Sequence, residues 1–530
     1  MQQISTTRKN NVHSYLILAL VAFGVFIAAD DLTVISTMLP QMIFDFEIPL
    51  PSGLDDASWI VSSYLITHGV AMPLFGRISD LYGRRFVFIT CMVIFAVGSL
   101  MVGQAGNPQL FDKGLWGYGL PIKPLNFLIF SRVIQAIGGG GVVPVAMAVV
   151  GDVFPVERRA FAMGLLGAVD TLGWIIGPLY GAFWVRYFTW HWQFYINIPI
   201  SLLAMAAAWF LLSYSSSHQR KSAASLDWLG AIFLSITLTL LNIGLAKSGG
   251  QAAAGPVFDF TADKTTLPTW QKTAPYFVGG GLALLIFIWL EQRVINPLIN
   301  LRMFRLANFT VACLINFVVG FVLIIAMVAV PLFVNAVLAE GTTIDEMIKS
   351  AAVDSGQILS ALTVAMAIMS IVGGWLCTRF GYRLPIVTGL LLIGVGFFLM
   401  NSWSPTTTFG PMALHLMVAG LGFGLVIAPV GTAVINAVQA EMRGIASGLV
   451  LILRLMGMSV GLSSLTAWGL YRFDVLSLPY SIAEIGQHIS AITAQILNET
   501  FLASSIFALL TTALAFILRP DRRTLPEIGT

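Results

Sequence analysis

Fourteen stretches of this 530-residue chain are apolar for about 20 residues each, and that repetition limits its possible folds more than any other feature. A helix needs about 20 apolar residues to cross a bilayer, and only helices and closed barrels satisfy their backbone groups there. The first six stretches run at about 14–39, 57–78, 86–104, 125–150, 159–185 and 194–214. Two more lie at about 226–245 and 274–292. The last six are at about 308–335, 352–376, 384–401, 411–436, 444–470 and 500–518. The expected fold is an all-α integral membrane protein. It has a six-helix half over 1–214, two inserted helices over 215–300 and a second six-helix half over 301–530.

Composition excludes several function classes. Hydrophobic residues make up 57% of the chain and charged residues 10%, which suits a chain solvated by lipid. A net charge of +3, spread along the sequence, gives no basic patch for nucleic acid. Cys91, Cys313 and Cys377 stand in or beside apolar spans without metal-ligand spacing, so they read as small apolar residues. The six histidines show no ligand pairing, and no nucleophile cluster or phosphate loop appears, so an enzyme is the least favoured class. The apolar run after Arg8 and Lys9 is too long for a signal peptide and reads as a retained helix. Alternate loops carry Arg77, Arg84, Arg85, Arg158, Arg159, Arg220, Lys221, Arg293, Arg302, Arg305, Arg379, Arg383 and Arg443, an excess that is expected to place both termini in the cytoplasm. The stretch 471–499 is then outward. Its Ile482, Ile485, Ile489, Ile492 and Ile496 have helical spacing and suggest a helix lying on the membrane surface.

One short loop is unusually charged. Gly76 to Arg85, GRISDLYGRR, carries four charges in ten residues, and a weaker copy, GWLCTRFGYR, runs from Gly374 to Arg383. Two copies in corresponding places imply two homologous halves, as in many secondary transporters. Within the spans, charge is rare and costly. Asp30 and Asp31 lie deep in the first span, where each acid costs roughly 2.5–3.5 kcal/mol on insertion scales. A carboxylate shielded from water can bind and release a proton near neutral pH; the alternative is a structural acid paired within the bundle. Arg132 and Gln135 open the fourth span ahead of Gly138 to Gly141. Arg132 either meets an acid or snorkels at the helix end. Arg454 is the one basic residue deep in the spans of the second half. It needs a counter-charge, with Asp170 the first choice and Asp31 the second.

These residues resemble motifs of the major facilitator superfamily, and specifically its fourteen-helix drug:proton antiporter branch, over nearly the full chain. Gly76, Asp80, Gly83, Arg84 and Arg85 match the superfamily's loop signature, which implies a lock on the cytoplasmic side; Glu157 is a candidate partner. Thr378 replaces the acid in the second copy, which makes the lock one-sided. DLTVISTMLP resembles the branch's first-helix motif and makes Asp31 the match; Asp30 stands where the branch usually has leucine. SRVIQAIGGGGVVP resembles the fourth-helix motif. Gly164, Gly173, Gly177, Pro178 and Gly181 match the gating-helix motif of span five, with Ala182 in place of its last glycine, and lie largely on one face. A narrower likeness, carried by AMPLFGRISDLYGRR, DTLGWIIGPLYG, VAGLGFGLVIAP and LRLMGMSVGLSSLTAWGLYRF, is to the mycobacterial triacylglyceride exporters.

The resemblance implies a plasma-membrane antiporter with no cofactor beyond the proton gradient. It would export lipids or other lipophilic molecules, with a lipid-carrying lipoprotein as a possible partner. The outward loop at about 402–410 is shorter than in those exporters, which weighs against docking through that loop. Two other readings stay open: a multidrug pump without lipid cargo, and a non-transporting scaffold or receptor. The buried Asp31, Asp170 and Arg454 argue against the scaffold, which would gain nothing from their cost.

Overall fold

A computed structural model describes residues 2–46, 54–107, 123–212, 227–248, 269–294, 297, 299, 301–334, 337, 344–480 and 482–519. Most of the segment 246–273 lies outside the described residues. Among the described residues the regular structure is entirely helical. The α-helices are α1 (Gln2–Asp45), α2 (Leu54–Tyr82), α3 (Arg84–Gly103), α4 (Pro124–Val153), α5 (Val156–Tyr187), α6 (His191–Leu211), α7 (Trp228–Ser248) and α8 (Thr269–Glu291). They continue with α9 (Ala307–Phe333), α10 (Ile344–Phe380), α11 (Arg383–Met400), α12 (Phe409–Ala437), α13 (Arg443–Ser477) and α14 (Ile482–Ala515). Twelve of them are long and apolar enough to cross a membrane; α2 and α5 are the other two. Leu203, Phe210, Val278, Leu285 and Leu510 lie exposed on outer faces, as expected where the solvent is lipid.

The packing repeats with a step of eight helices. α1 packs on α5 as α9 packs on α13. α2 packs on α4 as α10 packs on α12. α3 meets α4 and α6 as α11 meets α12 and α14. Crossed contacts join the sets, chiefly α5 on α10 and α2 on α13, with smaller ones of α5 on α12 and α4 on α13. The helices α7 and α8 pack on each other, and α7 leans on α2 and α13. The loop copies repeat as well: Gly83 has φ 93° and Gly381 φ 72°, values that a residue with a Cβ rarely adopts.

Small residues set the helix spacing. A Cβ on Gly138 would strike the backbone of α3 at Phe95 and Cys91, and one on Gly140 would strike the His68 carbonyl of α2. The glycine run therefore lets α4 wedge between its neighbours. In α5 the glycines divide. Gly173 abuts Phe26 and Ala29 of α1, whereas Gly164 abuts Ser370 and Gly374 of α10. Nine residues amount to two and a half turns at 3.6 residues per turn, so Gly164 stands opposite Gly173 rather than on a shared face. Gly177 and Gly181 are buried in the same helix, whose range includes Pro178.

The expected surface helix at 471–499 is not separate. Residues 482–499 form the first half of α14, and Ile492 and Ile496 are buried while Ile489 is exposed. Ile492 and Ile496 belong to the packed face of a long helix, and Ile489 does not. Arg472 of α13 and Glu499 of α14 close against each other as an ion pair.

Candidate functional site

The first helix turns Asp31 into a fully enclosed nest. Its Oδ2 accepts from Arg132 Nη1 of α4 at 2.7 Å, and its Oδ1 accepts from Gln135 Nε2 at 2.8 Å and Asn197 Nδ2 of α6 at 3.3 Å. Arg132 Nη1 also donates to Gln135 Oε1 at 2.6 Å, and Gln135 Nε2 to Ser99 Oγ of α3 at 2.8 Å. The guanidinium sits 3.9 Å over the Tyr64 ring of α2. Five helices thus contribute to the nest: α4 and α6 bond the carboxylate of α1, and α2 and α3 hold Arg132 and Gln135. Asp30 faces another way and accepts from Gln193 Nε2 at 3.2 Å. The arrangement keeps a charged pair in an apolar interior by giving it directed hydrogen bonds, and Arg132 is fully buried rather than snorkelling.

A second acid–arginine pair bridges the two sets of helices. Arg454 Nη2 of α13 donates to Asp170 Oδ2 of α5 at 3.2 Å, so of the two acids open to Arg454 the contact is with Asp170. The pair lines a cavity walled by α1, α4, α5, α9, α12 and α13. The rest of the wall is mostly apolar, with Val143, Met147, Met163, Leu166, Ile427 and Val450 among it. Asn316 of α9 adds a polar group and donates to the Val450 carbonyl at 2.7 Å.

The charged loop forms the third group. Asp80 is buried and ion-pairs with Arg84, and its two oxygens accept from the backbone N–H of Gly444 at 2.9 Å and of Ile445 at 3.0 Å. It therefore sits on the N-terminus of α13, where exposed N–H groups and the helix dipole favour an anion. Arg84 Nε donates to Asp152 Oδ2 of α4 at 3.0 Å, and Asp152 Oδ1 accepts from Arg443 Nη1 of α13 at 2.9 Å. Gly76 and Gly444 meet so closely that a Cβ on either would collide with the other's carbonyl. Ser447 Oγ donates to the Pro144 carbonyl at 2.9 Å, Arg159 Nη1 to Asn436 Oδ1 at 2.6 Å and Ser370 Oγ to the Gly164 carbonyl at 2.9 Å. Each of these bridges lies between the Asp170–Arg454 pair and the loop end of the molecule, so that end is closed between the helix sets.

Some residues singled out in the sequence stand apart from these groups. Arg85 lies 4.0 Å over the Trp209 ring of α6, and Glu157 is exposed in the first turn of α5. Thr378 Oγ1 donates to the Trp375 carbonyl of its own helix at 2.7 Å. Sequence reasoning missed Tyr64, Ser99, Asp152, Asn197, Asn316 and Arg443. A usable signal existed for two acceptor-holding amides: Gln193 and Asn197 are four residues apart in WHWQFYINIPI and share one helix face.

The chain belongs to the Major Facilitator Superfamily, whose family model matches residues 21–462. It is 31% identical over 463 residues to the "Triacylglyceride transporter" of Mycobacteroides abscessus, covering 85% of this chain and 82% of that one. It is 28% identical over 459 residues to "Multidrug resistance protein 3" of Bacillus subtilis, covering 87% and 80%. Among solved structures, the human organic anion transporter MFSD10 superposes with a TM-score of 0.60 at 15% identity, covering 95% of this chain and 99% of that one. A double-Trp variant of XylE superposes at 0.62 and 13% identity, covering 96% and 97%. Those two likenesses concern the fold. The protein is a membrane transporter of this superfamily and not an enzyme.

Proposed function

We propose that the protein is a proton-coupled antiporter that exports lipids, such as triacylglycerides, or other lipophilic molecules by alternating access. The observation that carries the reading is the pairing of two features: an enclosed Asp31–Arg132 unit inside one helix set, and an apolar cavity between the sets whose charge is confined to Asp170 and Arg454. Protonation of Asp31 would free Arg132, and the Asp170–Arg454 pair would open and close as the halves rock about the cavity. Asp80, Arg84 and the N-terminus of α13 form the lock, with Gly76 and Gly83 shaping its loop. The α5 glycines with Pro178 let that helix pack as a gate.

The same reading takes all fourteen helices as spans: halves at 1–214 and 301–530, with the α7–α8 pair inserted between them. The membrane is the plasma membrane, with both termini cytoplasmic. The likeness to the triacylglyceride transporter of Mycobacteroides abscessus supports a lipid cargo. The comparable identity of the Bacillus subtilis relative favours a second reading, a multidrug pump without lipid cargo. For a lipoprotein partner the α11–α12 connection offers little. Trp403 is buried against Phe333 and Phe501 and donates to His415 Nδ1 at 3.1 Å, which draws this short loop inward.

The test uses purified protein in liposomes under an imposed pH gradient, with a fluorescent triacylglycerol and a lipophilic cationic dye as cargoes. Gradient-dependent movement of the triacylglycerol is the expected result. Movement of the dye alone selects the multidrug reading. Movement of neither, with the protein folded, overturns proton-coupled export.

A further inference from the structure

Releasing Arg132 raises a difficulty that the nest itself does not solve. A guanidinium stays charged at any physiological pH, so when Asp31 takes a proton the arginine loses its counter-ion while still inside the bundle. It keeps the Tyr64 ring, the Gln135 side-chain carbonyl and a long 3.4 Å bond from Nη2 to the Asp31 backbone carbonyl, which together leave most of its five N–H donors in need of a further acceptor. Arg132 Nε makes no hydrogen bond to a protein partner in the paired state.

One buried group nearby is chemically fitted to that need. His68 lies one turn on from Tyr64 along α2, stacks on it with ring centroids 5.5 Å apart, and is 4% exposed. Its Nδ1 has no protein hydrogen-bond partner. The Tyr64 hydroxyl and His68 Nδ1 converge on Gly139 of α4, two turns from Arg132: a Cβ there would stand 2.9 Å from the one and 3.6 Å from the other. The glycine thus lets the imidazole edge approach the helix that carries the arginine, with the Tyr64 hydroxyl beside it. A neutral imidazole protonated on Nε2 offers a lone pair on Nδ1. A buried polar atom left unmatched in one state is explained when another state uses it.

We propose that His68 is the acceptor that receives the Arg132 guanidinium when protonation of Asp31 releases it. The proposal rests on the proton-coupled reading above and makes His68 a positioning residue for it. The charged and titratable groups around His68 are Tyr64 on its own helix, Arg132 on α4, and Asp30 and Asp31 on α1. From α3 the side chains meeting the same glycine run are Cys91 and Phe95, and from α13 those beside Gly69 are Ile452 and Leu455. α7, which also packs on α2, has no charged residue in 228–246. No competing anion therefore faces the site from those neighbours.

The test is a pH titration by difference infrared spectroscopy of the full chain in lipid, with the Asp31 carboxyl band identified by its loss in Asp31→Asn. His68→Phe keeps the stacking and removes the acceptor. It destabilises the protonated state, so the band's midpoint moves to lower pH, by about one unit for a tenfold weaker released state. His68→Gln keeps an acceptor and leaves the midpoint near that of the native protein. An unmoved midpoint in His68→Phe overturns the proposal while leaving proton coupling standing. The absence of any titrating Asp31 band in the native protein overturns both. A second measurement avoids the risk that His68→Phe does not fold. In Asp31→Asn, which mimics the protonated acid, the ¹⁵N resonance of His68 Nδ1 should move from free to hydrogen-bonded acceptor, and an unchanged resonance overturns the proposal.

Discussion

The Asp31–Arg132 pair and the Asp170–Arg454 pair each join an acid and an arginine on facing helices, yet they are held in different ways. Asp31 and Arg132 are 0% and 1% exposed, lie within one helix set and are bonded by Gln135 and Asn197, with Ser99 holding Gln135 in turn. Asp170 and Arg454 are 16% and 11% exposed, belong to different sets and meet through one 3.2 Å contact at the cavity wall. The sealed pair has no direct route to cargo, and its polar neighbours fix its geometry. The bridging pair touches the cavity and has little else to hold it. On the reading proposed above, the first stores a charge change and the second reports it across the interface between the helix sets.

The largest expected effect breaks the sealed pair. Asp31→Asn removes the titrating group and leaves Arg132 without a counter-ion, a loss on the order of 3 kcal/mol or more. Efflux from liposomes under an imposed pH gradient should fall by about a hundredfold, with the folded protein recovered. Native rates in this variant would show that the sealed pair is only structural.

Breaking the bridge should cost less, because water in the cavity compensates part of the charge. Arg454→Ala should lower transport by about tenfold in the same assay. The exchanged variant, Asp170→Arg with Arg454→Asp, should give more folded protein than either single change. The same exchange at Asp31 and Arg132 should not, since Gln135 and Asn197 donate to the acid from fixed positions. Equal behaviour of the two exchanges would erase the distinction between the pairs.

The lock tests a third kind of contact, an acid on a helix N-terminus. Asp80→Asn keeps one acceptor and loses the charge that serves Arg84 and two backbone N–H groups, worth roughly 1.5–3 kcal/mol for charge-assisted bonds. Cysteine labelling from the loop side should rise about tenfold, and unchanged labelling from both sides would make the loop a topological anchor only. The smallest effect belongs to Arg85. Its contact with Trp209 is worth about 0.5–1 kcal/mol, so Arg85→Ala should lower thermal stability slightly and leave transport within about twofold.

Much of this molecule was legible because the bilayer imposes a simple rule. Every spanning segment needs its own apolar length, so the helices could be read one at a time along the chain. The rule falters where a helix outruns its span. Residues 482–499 have the spacing of a surface helix, and only their packing against the rest of the bundle identifies them as the start of α14. It also cannot assign faces. The α5 glycines look like one motif, and the structure turns Gly164 toward α10 and Gly173 toward α1.

The sequence by itself determined that the chain is a helical membrane protein with internal duplication, that Asp30, Asp31, Arg132, Asp170 and Arg454 are costly charges inside its spans, and that the Gly76–Arg85 loop stands out. Which charges meet was left to the tertiary structure. Arg132 finds Asp31 across 101 positions and Arg454 finds Asp170 across 284. The reason is physical. Apolar length and helix period are properties of neighbouring residues and are written along the chain, whereas an ion pair depends on how two helices rotate and cross. That is decided by the summed packing of glycines, apolar side chains and their partners, and no single stretch of sequence contains it.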